Sequence, residues 1–154
     1  MTPVSRGGAY LVDGTNLLYR AYHALQGFRT STGLPTHAVY GFLTMVLRVL
    51  REQEPEVLAV VFDPPGLTQK HHLYAEYKAN REGTPDDLRV QIPYVLRALD
   101  ALGIPRLTIE GYEADDVLGT LTVRLAADGR EVTIVTGDKD LCQLVGPRVR
   151  LLDT

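Results

Sequence analysis

The sequence predicts an α/β fold with a mostly parallel central sheet and helices on both of its faces. Three observations carry that expectation. Short apolar, β-branched runs alternate with longer stretches of helical periodicity. Several of the apolar runs stop at an aspartate or a glycine turn. At 154 residues, 45% of them hydrophobic and 23% charged, the chain is long enough for one full core. A folded chain of that size hides about 70% of the surface its unfolded form exposes.

The elements follow in order. Ala9-Tyr-Leu-Val-Asp13 is a buried strand halted by Asp-Gly, and Thr15 or Asn16 is placed to cap the helix behind it, with Leu17, Leu18, Ala21, Tyr22 and Leu25 at helical spacing. A proline-free helix is predicted from Thr36 to about Gln53, on the period of Val39, Phe42, Leu43, Val46, Leu47 and Leu50. Val57 to Phe62 is continuously apolar, as a parallel strand covered on both faces should be. A helix over 85–102 follows, closed by Gly103 with Pro105 beyond it. Then come a strand from Arg106 to Ile109, a helix from about Glu113 to Ala127 with Gly129 as C-cap, and a strand from Glu131 to Thr136. A short helix over 141–145 and a strand over 149–152 complete the series. There are no internal repeats and no low-complexity stretches. Residues 1–8 read as a tail and 9–154 as one domain.

Composition narrows the function classes. One cysteine, Cys142, rules out an internal disulfide and reads as a small buried hydrophobe. The opening residues lack the apolar stretch of a secretory signal, so a reducing cytoplasm is expected. No apolar run approaches the ~20 residues that cross a bilayer. The net charge is −3, from 16 basic and 19 acidic residues. Seven acids lie at strand ends or on the turns that follow them: Asp13, Asp63, Glu113, Asp115, Asp116, Asp138 and Asp140. With those set aside, 16 bases face 12 acids, the balance of a mildly basic body with one acidic site.

In an open parallel sheet, ligands gather outside the carboxyl ends of the strands, and four separate chain segments deliver these acids there. Each alone could be a helix cap or a first-turn acid, a role that stabilises by about 0.3–1 kcal/mol. Together they repel: two carboxylates ~5 Å apart cost roughly 3 kcal/mol at an effective dielectric of 20. A cation is required. All-oxygen ligation favours Mg²⁺ or Mn²⁺ over zinc, and two such ions suit in-line attack on a phosphodiester.

Between the second strand and the next helix lies a long connection, about 64–84. Within it Lys70, Tyr74, Tyr77, Lys78 and Arg81 would share one face of a helix. Cations beside aromatic rings suit a single nucleic acid strand, with charge for phosphates and flat surfaces for bases. A solvated amphipathic helix is the bland alternative. Arg20, two turns into the first helix, reads either as a phosphate contact or as a surface ion-pair partner. Tyr22 and Tyr40 read as core residues with a hydroxyl at the rim, and His23 and His37 as structural.

The strings LVDGTNLLYRAYHAL, AVYGF, VVFD, YKANR with PDDLRVQI, GYEADDVLGTL and TGDKDLCQLV cover nearly the whole chain after Gly8. In that order they resemble the 5′-to-3′ exonuclease domain of bacterial DNA polymerase I, in the flap endonuclease group. The resemblance implies a PIN-like fold with a helical arch insertion, acting on 5′ ends and flaps of DNA in primer removal and repair. By it, Asp13, Asp63, Glu113 and Asp115 would hold a first metal ion with Asp116 close by, and Asp138 and Asp140 would contribute to a second. Lys78 and Arg81 would contact the scissile phosphate and stabilise the transition state, Tyr77 would stack on a base, and Arg20 would bind phosphate. Lys70 and Tyr74 would belong to the same DNA-binding face. The family continues into a helix-three-turn-helix half with further aspartates, absent from this chain. The second metal site would then be incomplete and the activity of this half weak or lost. The parent would be a monomer continuous with a polymerase.

Other readings fall on particular residues. Leu11 stands where a haloacid-dehalogenase-type phosphatase would need its nucleophilic aspartate. Neither a dinucleotide nor a P-loop glycine motif occurs. A PIN-type ribonuclease and a non-catalytic nucleic-acid-binding fragment remain as alternatives.

Overall fold

The computed structural model describes residues 7–65 and 83–154. Five strands, β1 (Ala9–Asp13), β2 (Val57–Val61), β3 (Arg106–Leu107), β4 (Val132–Val135) and β5 (Val149–Leu152), form one sheet in the order β3-β2-β1-β4-β5. Every pairing is parallel. From central β1 the chain moves outward to β2 and β3, then returns to build β4 and β5 on the other side. The order therefore reverses between β1 and β4, which makes their carboxyl ends the crevice where such sheets bind ligands.

Side-chain alternation along the strands separates two cores. Tyr10, Val12, Leu58, Val60 and Val135 face α1 (Gly14–Ala24), α2 (His37–Gln53), α3 (Asp86–Arg89) and α4 (Ile92–Ala101), where they pack with Leu17, Phe42, Leu88 and Leu99. Leu11, Ala59, Val61, Val132 and Ile134 face the opposite way, onto Ala114 and Leu118 of α5 (Ala114–Ala127) and Leu141 of a 3₁₀ helix (Lys139–Leu144). The expected α/β arrangement with both faces covered is present.

Two glycines permit close approach. A Cβ on Gly14 would stand 2.7 Å from both Phe62 and Val60, so only glycine lets the chain turn from β1 straight into α1 against β2. A Cβ on Gly41 would come within 2.8 Å of the Ala21 methyl, where α1 and α2 cross.

Several expectations need correction. The cap of α1 is Asp13, whose side chain accepts from the Asn16 amide, and not Thr15 or Asn16, because the helix already starts at Gly14. The helix expected over 85–102 is two helices, α3 and α4. Pro93 is the cause: it has no N–H and its ring collides with the carbonyl four residues back, at Arg89, where α3 ends. Proline is tolerated only in the first turn, where α4 places it. The third strand stops at Leu107, because its partner β2 ends at Val61, the residue paired with Leu107. Cys142 is exposed rather than buried. The tight three-residue period of the 3₁₀ helix turns Leu141 and Leu144 inward and leaves Cys142 outside. Tyr40 is 59% exposed and lies beside Phe28, with ring centroids 5.6 Å apart, instead of entering the core. Tyr22, by contrast, does pack against the core, and its hydroxyl donates to Asp87 Oδ1 at 2.6 Å.

His37 is buried against the Tyr22 ring, and His23 is exposed. Lys70, Tyr74, Tyr77, Lys78 and Arg81 lie outside the described residues. Among the described residues no helix is long and apolar enough to cross a membrane.

Candidate metal centre

The carboxyl ends of β1, β2 and β4 and the start of α5 bring the predicted acids to one rim. Asp13 closes β1 and is 6% exposed. Asp63 follows β2, and its Oδ1 accepts from the Ala114 amide at 2.7 Å. That bond caps α5 from another segment, since the helix's own N-cap, Glu113, makes no side-chain capping bond. Asp138 follows β4 and caps the 3₁₀ helix through the Asp140 amide at 2.9 Å. Glu113, Asp115 and Asp116 each offer a carboxylate oxygen, the three lying within 4.8 Å of one another. Asp116, which the resemblance puts only beside the first metal group, is a full member of this cluster. Asp13 and Asp63 stand outside it. An open cleft is lined by Asp115, Asp116 and Asp140 together with Gly119, Thr120 and Leu144.

Electrostatics link the segments. Burial pushes the Asp13 carboxyl up from its ordinary 3.8 to about 6, and the negative charges of Asp63 and Asp138 add to the rise. Hydrogen bonds from Thr136 and the Asn16 amide oppose it. Charge of one sign thus accumulates where Asp63 and Asp138 approach Asp13. The donor set is all oxygen, with neither histidine nor cysteine in the clustered trio. Both features fit a hard divalent ion.

Three polar residues that tie the rim together were not singled out as site residues in the sequence. The Thr136 hydroxyl donates to Asp13 Oδ2 at 2.8 Å and accepts from the Asp138 amide at 3.0 Å. Thr15 Oγ1 accepts from the Asp63 amide at 2.8 Å. Asn16 Oδ1 accepts from the Gly137 amide at 2.9 Å. The available signal was their position, a hydroxyl or amide side chain beside each Asp-bearing turn. It reads as capping potential at Thr15 and Asn16, and at Thr136 only as the end of a strand.

Arg20 makes the ion pair that spacing alone could not choose. Its Nη1 donates to Asp153 Oδ1 and its Nη2 to the Thr154 carbonyl, both at 2.7 Å. The guanidinium lies against Gly137, on the turn that carries Asp138: a Cβ there would stand 2.9 Å from Arg20 Nη1.

A family model described as the 5′-3′ exonuclease, N-terminal resolvase-like domain, matches residues 8–154. DNA polymerase I of Pseudomonas aeruginosa is 50% identical over 151 residues, covering 98% of this chain but 16% of that protein. The 5′-3′ exonuclease of Aquifex aeolicus is 43% identical over 144 residues, 94% of this chain and 50% of that one. The chain therefore spans half or less of the length of these relatives. Among solved structures, the flap endonuclease of bacteriophage T5 in complex with DNA and metal ions has a TM-score of 0.65 at 23% identity, covering 94% of this chain and 54% of that one, a likeness of fold. With the match running from residue 8 to residue 154, the chain belongs to the family of 5′-3′ exonuclease N-terminal resolvase-like domains.

Proposed function

We propose that this chain is the nuclease portion of a metal-dependent 5′-3′ exonuclease and 5′-flap endonuclease acting on DNA, part of a DNA polymerase I that removes RNA primers and flaps in replication and repair. The observation that carries the reading is an acidic rim at the strand carboxyl ends, where Asp63 bonds to the start of the helix bearing the clustered Glu113, Asp115 and Asp116 and, with Asp138, adds its charge to the field at Asp13. The named relatives, a DNA polymerase I and a 5′-3′ exonuclease, support it.

In this reading Asp13, Asp63, Glu113 and Asp115 hold one ion, Mg²⁺ or Mn²⁺, with Asp116 close by, and Asp138 and Asp140 contribute to a second. What a bound ion supplies is Lewis acidity toward the phosphodiester and activation of water for in-line attack. The chain's own residues do the remainder. Buried Asp13 anchors the rim through Thr136 and Asn16, and Asp63 sets the start of α5, so the carboxylates are held before any ion arrives. Lys78 and Arg81 supply positive charge to the scissile phosphate. Lys70, Tyr74 and Tyr77 bind the single strand through phosphate and base faces, and Arg20 takes a further phosphate.

The test is cleavage of a 5′-flap DNA by the full-length protein in Mg²⁺. Cleavage is expected, abolished by Asp63→Asn and reduced by Lys78→Ala. Cutting of single-stranded RNA but not of flap DNA, or DNA binding without cleavage at every metal concentration, would overturn it.

A further inference from the structure

We infer that Thr136 is a positioning residue that joins the Asp13 carboxylate to the turn bearing Asp138 and Asp140, so that the two acidic groups take up metal as one unit. The inference rests on the metal-dependent reading above, and goes beyond it in assigning this role to a residue that offers no ligand charge.

The argument starts from the valence of one hydroxyl. A threonine hydroxyl has one hydrogen to donate and lone pairs to accept with. A carboxylate can only accept, and a backbone amide can only donate. The two bonds at Thr136 therefore have a single possible direction: Asp138 N–H to Oγ1 at 3.0 Å, and Oγ1–H to Asp13 Oδ2 at 2.8 Å. Bonds in such a chain polarise one another, so strengthening either end strengthens the other. Thr136 is 2% exposed and Asp13 is 6% exposed, which leaves water little access to compete for either bond.

Location is equally constrained. Thr136 directly follows β4, and its branched Cβ restricts the rotation that would swing Oγ1 away. Asp138 in turn accepts the Asp140 amide on its own Oδ1. From the other side, Asn16 in the first turn of α1 fixes the Gly137 amide. Residues 136 and 137 are thus referred to Asp13 and to the helix that Asp13 caps, and Asp138 and Asp140 are bonded on from them. Displacement of Asp13 moves the Asp138 turn with it, through one oxygen atom.

Valine has nearly the shape of threonine but can neither donate to Asp13 nor accept from Asp138. Serine restores the hydroxyl. The experiment is calorimetric titration of Mn²⁺ into the full-length protein without DNA, for the unchanged protein, Thr136→Val and Thr136→Ser, with a thermal melt of each. Loss of an outer hydrogen-bonding partner typically weakens metal binding about 10–100-fold. That loss is expected for valine, with serine binding as the unchanged protein does. In flap cleavage, valine is expected to lower kcat and leave the KM for DNA unchanged. Equal Mn²⁺ affinity for valine and threonine, or failure of serine to restore it, would overturn the inference while leaving the metal reading standing. No Mn²⁺ binding by the unchanged protein would overturn the metal reading itself. A measurement without substitution guards against a valine variant that does not fold: saturating Mg²⁺ is expected to slow hydrogen exchange at the Asp138 amide, and unchanged exchange there in a protein that binds Mg²⁺ would also overturn the coupling.

Discussion

Asp63 caps a helix it does not belong to. Its Oδ1 accepts the Ala114 amide at 2.7 Å, fixing the start of α5, the helix that opens with Asp115 and Asp116. One carboxylate therefore has two separable properties, an acceptor for the helix and a negative charge for the rim. Asparagine keeps the first and removes the second. Asp63→Asn is expected to melt within a degree or two of the unchanged protein yet to lose divalent-metal binding in calorimetry. Asp63→Ala should lose both, with about 1 kcal/mol of stability gone with the cap. Equal melting of Asn and Ala variants would refute the capping role.

Asp13 makes a prediction about pH. Its carboxyl is raised by burial to about 6 from an ordinary 3.8, so the folded protein holds this proton more tightly than the unfolded chain does. Between those values the folded state binds the extra proton, and stability falls as pH climbs through that window. Above about 6 the full penalty is present, on the order of 3 kcal/mol at 1.36 kcal/mol per pH unit. Asp13→Asn removes the charge and forfeits one of two accepted hydrogen bonds, a loss of about 1 kcal/mol. In EDTA at pH 8, urea unfolding should show Asp13→Asn to be more stable than the unchanged protein by about 1–2 kcal/mol. Below pH 4 the advantage should vanish. A variant less stable at pH 8 would show that ionised Asp13 is not a strained group.

Much of the sheet was legible because parallel strands covered on both faces must be apolar throughout, as residues 9–12 and 57–61 are. The acidic rim was legible because those runs stop at Asp13 and near Asp63. The bonds between segments were not legible. Reading Asp13, Asp63 and Asp138 as helix caps and reading them as a charged rim looked like competing explanations, and the structure joins them. All three cap a helix, and Asp63 does so for a helix that begins 51 residues later. Local propensity could suggest that a side chain caps, but not which helix it reaches. Pro93 is a visible signal for the break between α3 and α4 that the reading of one helix over 85–102 leaves out. Tyr40 and Cys142 were misplaced because each sits next to inward-facing residues on its helix, a rotation that neighbouring apolar positions alone do not resolve.

Gln91 repeats the device of capping from a distance, this time within the core. It is fully buried, and its Oε1 accepts the Ala38 and Val39 amides at 2.8 and 3.2 Å, in the first turn of α2. Thr36, the N-cap residue of that helix, makes no side-chain capping bond. The Gln91 amide nitrogen donates to the Asp87 carbonyl at 2.9 Å, holding α3 as well. Leucine at this position would leave two amides and a carbonyl without their partners, at about 1–3 kcal/mol for each one that stays dry. Gln91→Leu should lower Tm by on the order of 10 °C, at roughly 2–4 °C per kcal/mol for a chain of this size. A change of less than about 2 °C would mean that water reaches the helix end.

Arg20 allows the phosphate role to be separated from the ion pair. Its bridge to Asp153 is half open to water, with side-chain exposures of 38% and 70%, and such pairs contribute about 0–1 kcal/mol. Arg20→Ala should therefore barely change Tm. If the guanidinium also meets a DNA phosphate, its removal should reduce the slope of log affinity against log salt by about 1. Gly137→Ala is the complementary probe, since its methyl would stand 2.9 Å from Nη1 and 3.3 Å from Asn16 Oδ1. The end of a long side chain can yield at little cost, so this variant should fold while the guanidinium is pushed off its seat. It is expected to show the same reduced salt slope with the charge still present. An unchanged slope in Arg20→Ala would leave Arg20 with its bonds to Asp153 and the Thr154 carbonyl as its whole role.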